Sequence, residues 1–343
     1  MSLLAALLTG AALGLPPLPP PRATQAALGR QLFFERRLSV NGTLSCAMCH
    51  VPGQGFAQNE LATSVGMEGV SLPRNAPTLL NVAHVQPLFH DGRAATLEQQ
   101  APLPLLHPDE MANPSMAAVV ARLARWPAYR PLFRRAFGSP RPTPARIAQA
   151  LAAYQRTLMA AGSPFDRWRY GGDATAMTPP QQRGFVLFQQ LGCDGCHTVG
   201  ERDALFTDLG FHNTGVQARS NAARQADIEV QLVPGVVARM SPAEVARVGS
   251  AGGDDPGRQA VTGRPEDARA FRTPSLRNVA LTAPYMHDGS LPTLQAVLDH
   301  YVAGGWPADA VQDRRLKPLS LTPAQRGDLL AFLGALTGQL PAP

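Results

Sequence analysis

Apolar residues recur at helical spacing after Thr143 (Ile147, Leu151, Tyr154, Leu158) and after Thr322 (Leu329, Phe332, Leu333, Leu336), the second run stopping before Gly338. Thr143-Pro144, Thr178-Pro179, Ser241-Pro242 and Thr322-Pro323 each set a hydroxyl N-cap before a proline at the first helical position. Gln181, Glu244 and Gln325 complete capping-box patterns at the last three. No run of alternating strand character competes, and the polar or Gly-rich stretches Gly210 to Arg239 and Gly249 to Arg258 read as surface loops. The pattern predicts a mainly α protein with long loops.

One stretch occurs twice. Residues 77–98 match residues 274–295 without a gap, pairing Asn81 with Asn278, Pro87 with Pro284, His90-Asp91-Gly92 with His287-Asp288-Gly289, and Thr96-Leu97 with Thr293-Leu294. Each copy follows a Cys-x-x-Cys-His motif, Cys46 to His50 or Cys193 to His197, and each motif follows a helical stretch. The expected fold is therefore two cytochrome c-like domains related by internal duplication, residues 23–172 and 173–343, behind an apolar segment at 1–22.

All four cysteines of the 343 residues fall in the two motifs, which leaves none for disulfides. Zinc or a redox disulfide would need further ligands or a βαβ context that the chain lacks. Cys-x-x-Cys followed directly by His is the attachment signature of c-type haem. The chain is thus expected to carry two covalent haems, through Cys46 and Cys49 with His50 on the iron, and through Cys193 and Cys196 with His197 on the iron.

A net charge of +6 rests almost wholly on arginine, Lys317 being the one lysine, and no basic run or basic-aromatic interleaving points to nucleic acid. The apolar run over residues 1–15 has the length of a secretory core and is short for a span, so export to the periplasm, or an N-terminal anchor, is expected.

What the irons do depends on their sixth position, since an occupied iron transfers electrons and an open one binds peroxide or oxygen. His84, His90, His107, His212, His287, His300, Met67, Met111, Met286, Tyr285 and Tyr301 are all candidates to fill or flank it, and spacing alone does not choose among them.

The succession of Cys-x-x-Cys-His, Arg74-Asn75-Ala76-Pro77-Thr78, His90-Asp91-Gly92-Arg93, Gln100, Glu110-Met111, Cys-x-x-Cys-His and Leu281 to Gly289 resembles the bacterial dihaem cytochrome c peroxidase and MauG family, over nearly everything from Leu28 to Gly338. That resemblance implies a peroxidase whose His50 haem is open and reacts with hydrogen peroxide beneath Gln100 and Glu110. It implies Tyr301, fourteen residues beyond His287, as sixth ligand of the His197 haem, where the first copy has Pro104. His90 stands between the haems where the family usually has Trp. Met67 lies about where reductively activated members carry a capping His. One calcium ion is implied between the domains, on Asn75, Thr282 and Pro284. The implied partners are a small redox donor (a cytochrome c or a cupredoxin) or a protein substrate, and a homodimer is compatible with them. The competing expectation is a dihaem electron carrier without turnover, both irons six-coordinate, with Met67 or His107 as a true ligand.

Overall fold

A computed structural model describes residues 12–225, 227–233, 236–241, 244 and 253–341. The four longest helices are α1 (Ala23–Phe33), α2 (Pro144–Gln155), α3 (Pro179–Gln190) and α4 (Pro323–Gly334). They pack in two pairs, α1 on α2 and α3 on α4, and each pair supports one Cys-x-x-Cys-His loop.

The predicted starts are real caps. Thr143 Oγ1 accepts from Arg146 N at 3.2 Å, and Gln181 and Gln325 accept through Oε1 from the backbone of Thr178 and Thr322 at 2.8 and 2.9 Å. Ile147, Leu151, Tyr154 and Leu158 are all buried, as are Leu329, Phe332 and Leu336. After Ser241 the predicted capping pair is formed, Ser241 N donating to Glu244 Oε2 at 2.8 Å, while the rest of that helix lies outside the described residues.

Close crossing requires glycine in both pairs. A methyl group at Gly29 would lie 1.8 Å from the Ala150 carbonyl oxygen, and one at Gly184 would lie 2.0 Å from that of Asp328. Backbone cannot yield as a flexible side chain can. Gly184→Ala is expected to destabilise by about 1–3 kcal/mol despite its better helix propensity, read as a lower denaturation midpoint; an unchanged midpoint would mean that the α3–α4 crossing is loose.

The halves share a series of paired details. Phe56 and Phe206 take positive φ of 55° and 52°, Asn81 and Asn278 both take 60°, and Gly92 and Gly289 take 73° and 65°. Gln86-Pro87 and Ala283-Pro284 are both cis. The Asn81 backbone donates to Leu158 O at 2.7 Å and the Asn278 backbone to Leu336 O at 3.0 Å, so each repeat hangs from its own last helix.

One expectation fails. The Gly210–Arg239 stretch contains a helix, Val216–Arg224, and an antiparallel hairpin, β2 (Ile228–Val233) against β3 (Val236–Met240); two-residue strands at β1 (Phe211–His212) and β4 (Phe271–Arg272) pair as well. Ile228, Val230 and Leu232 do alternate with polar residues, a period-two signal masked by the polar sequence around it. Within the apolar 1–22 segment Leu15 is buried, and Gly14 O accepts from Ala204 N at 3.1 Å.

The halves are clamped together. Arg74 reaches Asp91 at 2.6 Å within its own half and Asp255 at 2.6 Å in the other, and Arg258 donates to the carbonyls of Asp91 and Gly92 at 2.9 and 3.1 Å. No described helix is long and apolar enough to cross a membrane.

Candidate haem sites

Each proximal histidine is aimed by its own loop. His50 donates from Nδ1 to Phe56 O at 3.2 Å, and His197 from Nδ1 to Phe206 O at 2.9 Å. Burial pushes both imidazoles below their ordinary range, the state in which one nitrogen donates and the other keeps a lone pair. The carbonyls of Pro77 and Pro274 lie against the two rings as well. A histidine oriented through Nδ1 is the donor arrangement that metal ligation requires. With four free cysteines, two beside each such ring, both sites fit covalent haem.

The carbonyls that aim these rings are held by the repeat. Thr78 Oγ1 donates to Gly55 O at 2.5 Å, one residue before Phe56; Ser275 Oγ donates to Leu205 O at 2.6 Å, one residue before Phe206. Positive φ at the two phenylalanines turns the next carbonyl inward, an arrangement uncommon for a bulky residue and here fixed by neighbours. The sequence repeat is thus the part that positions the ligands.

Around the first motif the structure gathers Glu110, Arg93, His107 and the Met67 loop. Glu110 sits on a tight turn pinned by Met111 and Asn113, which are 4% and 3% exposed; Asn113 Nδ2 donates to the carbonyls of Leu38 and Leu105, both at 2.8 Å. Burial raises the Glu110 carboxyl, with His107 and Arg93 pulling the other way, and its charge in turn reaches Cys46 and Cys49. The carboxylate therefore lies on the Cys46–Cys49 side of the turn. Met67 is buried, and its backbone donates to Asp109 O at 2.7 Å, so the loop of the expected cap and the turn of Glu110 are one joined unit. His107 is spent within the turn, its Nδ1 accepting from Asp109 N at 3.2 Å. Gln100 ends the short helix Leu97–Gln100, half-buried, and its amide makes no hydrogen bond.

Tyr301 lies on the helix Leu294–Val302 within electrostatic reach of both Cys196 and Cys193. Burial first, then those two sulfurs, push its phenol up to about 12. The neighbouring His300 points elsewhere, its Nε2 bonded to Thr214 O at 3.0 Å, so the phenol is the group the helix offers to the second motif.

His90 donates from Nε2 to Asn75 O at 3.0 Å, and burial depresses it to about 3, so it is neutral at any physiological pH. Asn75 is a hub: its backbone donates to His287 O at 2.7 Å and its side chain to Ala62 O at 2.9 Å. Thr282 Oγ1 donates to Val279 O at 3.2 Å, while Pro284 follows the cis bond. His287 is consumed by a 2.8 Å contact with Gln217 and a stack on Phe271, centroids 3.6 Å apart.

His212 is one of the six histidines outside the two motifs. It lies by Cys196, 2.8 Å from Asp208 and 3.1 Å from Asp313, and with Cys196 and Asp208 forms the described His/Cys/acid group close enough to hold a metal. The Cys196 sulfur, then Asp208, raise its imidazole to about 9. Attachment of Cys196 to a haem removes the first of these and leaves the carboxylates. Asp208 is four residues away, but Cys196 and Asp313 are distant in sequence, so no local motif shows the group.

Residues 23–175 match the family described as di-haem cytochrome c peroxidase. The chain is 40% identical over 317 residues to a methylamine utilization protein MauG of Methylorubrum extorquens, covering 92% of this chain and 78% of that protein. It is 33% identical over 325 residues to a cytochrome c551 peroxidase of Nitrosomonas europaea, with 94% and 82% covered. Among solved structures, a MauG-like protein associated with microbial copper homeostasis matches with a TM-score of 0.73 at 33% identity, over 95% of both chains. The diheme peroxidase BthA of Burkholderia thailandensis matches at 0.71 with 28% identity, over 93% and 87%.

Proposed function

Because the chain belongs to the di-haem cytochrome c peroxidase family, and is thus an oxidoreductase with two c-type haems, we propose that it reduces hydrogen peroxide over His50 and draws the electrons from a protein through the His197 side. The two halves are read as duplicated haem domains, Cys46 and Cys49 holding one group and Cys193 and Cys196 the other. Bound there, haem supplies the iron position that accepts peroxide and the redox capacity to break its O–O bond.

The observation that carries this reading is an asymmetry between the motifs: a half-buried carboxylate, Glu110, lies toward the first, and a half-buried phenol, Tyr301, lies toward the second. Glu110 takes the proton from one peroxide oxygen and returns it to the other, which leaves as water. Over the cycle, two protons and two electrons convert one peroxide into two waters. Gln100, its amide unspent, holds the peroxide in line.

Tyr301 would join His197 in holding the second haem, whose iron an anionic oxygen would bias toward the more oxidised state, making that site a store of oxidising equivalents. His90, neutral and harder to oxidise than indole, joins the sites by its contacts more than by carrying charge itself. Calcium on Asn75, Thr282 and Pro284, hard oxygen donors suited to it, and export to the periplasm complete the reading.

Met67 favours the alternative, a dihaem electron carrier, since it is buried and tied to the Glu110 turn. Rapid mixing of hydrogen peroxide with the fully ferric protein decides between them. A prompt change in the Soret band without prior reduction is expected; no response, with no high-spin ferric component, would establish the carrier.

A further inference from the structure

Arg277 stands in the second copy of the repeat where the first has Leu80, and it is 2% exposed with its partner Asp166 at 0%. A buried ion pair is weak evidence of stabilisation, because desolvating each ion costs several kcal/mol. Its geometry points instead to orientation.

The Arg277 guanidinium meets Asp166 through two parallel bonds of 2.9 and 2.8 Å. Its Nη2 also donates to Gly14 O, and its Nε donates to Ala204 O at 2.6 Å. Gly14 O accepts Ala204 N as well. Four successive carbonyls are therefore held in a row: Ala204 by Arg277, Leu205 by Ser275, Phe206 by His197, and Thr207 by Thr198 Oγ1 at 2.8 Å. The first half has the counterparts of Ser275 and His197 but no cation, and its histidine bond is longer, 3.2 against 2.9 Å.

We propose that Arg277, braced by Asp166 and by the Gly14 carbonyl of the N-terminal strap, is a positioning residue that fixes the Phe206 carbonyl and so tunes His197 as a ligand, separately from His50. A firm acceptor on Nδ1 makes the imidazole a stronger donor and favours ferric iron. This inference rests on the reading of His197 as an iron ligand, which haem stoichiometry and ligand-field spectra of the unaltered protein check by themselves.

The test uses the holoprotein. In Arg277→Gln the second haem is expected to become easier to reduce by roughly tenfold in its ferric–ferrous equilibrium, about 59 mV for one electron, with altered low-spin EPR g-values. The first haem's ferric signals and its response to peroxide should not move. Arg277→Lys should not rescue, since a point-like ammonium cannot serve all three acceptors. Gly14→Ala, whose methyl would lie 1.9 Å from Asp166 Oδ1, should shift the same haem in the same direction. If Arg277→Gln does not fold, Gly14→Ala and the double change Arg277→Leu with Asp166→Leu, which leaves no lone charge, decide the matter. Lowered thermal stability with an unchanged second-haem potential and g-values would overturn the proposal, as would equal shifts at both haems.

Discussion

Glu110→Gln is expected to lower kcat/KM for hydrogen peroxide by roughly 10²–10⁴-fold, the usual worth of a positioned acid–base group, while both haems remain attached. Gln keeps the size of the side chain and loses only its capacity to take a proton. The turn that carries it is held by Met111 and Asn113, not by the carboxylate, so the fold should not respond. The pH profile supplies a second signature. Burial holds the Glu110 carboxyl above its ordinary value, and the deprotonated form is the one that receives the peroxide proton. Activity should therefore fall as pH drops through that raised pKa, and this acidic limb should vanish in the variant. Steady-state rates across pH are the measurement; a rate within threefold of the unaltered enzyme would remove Glu110 from the mechanism.

Tyr301→Met should have the largest effect on the other side. Thioether sulfur favours ferrous iron where phenolate favours ferric, so the second haem's potential is expected to rise by on the order of 100 mV or more, inside the roughly 0.8 V that axial ligands span. Without iron nearby the phenol is strongly protonated, near 12, because burial disfavours the anion. Only a cation facing it would make it ionise. The variant should take electrons from donors more readily and lose the ability to hold an oxidising equivalent at the second site. Spectroelectrochemical titration of both haems reads this directly, and an unchanged second potential would show that Tyr301 is packing.

Much of this was legible in the chain because short-range chemistry carried it. Hydroxyl-proline caps, a helical period ending at Gly338 and Cys-x-x-Cys-His depend on neighbours within a few residues. Glu110 and Tyr301 depend on matching a known family, since nothing local separates Glu110 from a solvated glutamate. Arg277 was hidden for another reason. Its partners, Gly14, Asp166 and Ala204, are spread over most of the sequence, and Asp166 also caps its own helix, accepting Ser163 N at 2.9 Å. The hairpin at Ile228–Met240 was lost within a polar stretch whose alternation is only three apolar residues long.

The clamp of Arg74 across Asp91 and Asp255 has a consequence for charge movement. It closes directly beside His90, whose carbonyl also accepts Arg272 N at 2.8 Å. A joint bolted on both sides of the crossing residue keeps the separation of the two redox centres constant while their charges change. Tunnelling falls off steeply with distance, so a fixed gap leaves driving force and reorganisation energy to set the transfer rate. Variants that move one haem's potential can then be compared on a single energy scale, and slackening the clamp is what would add distance as a second variable.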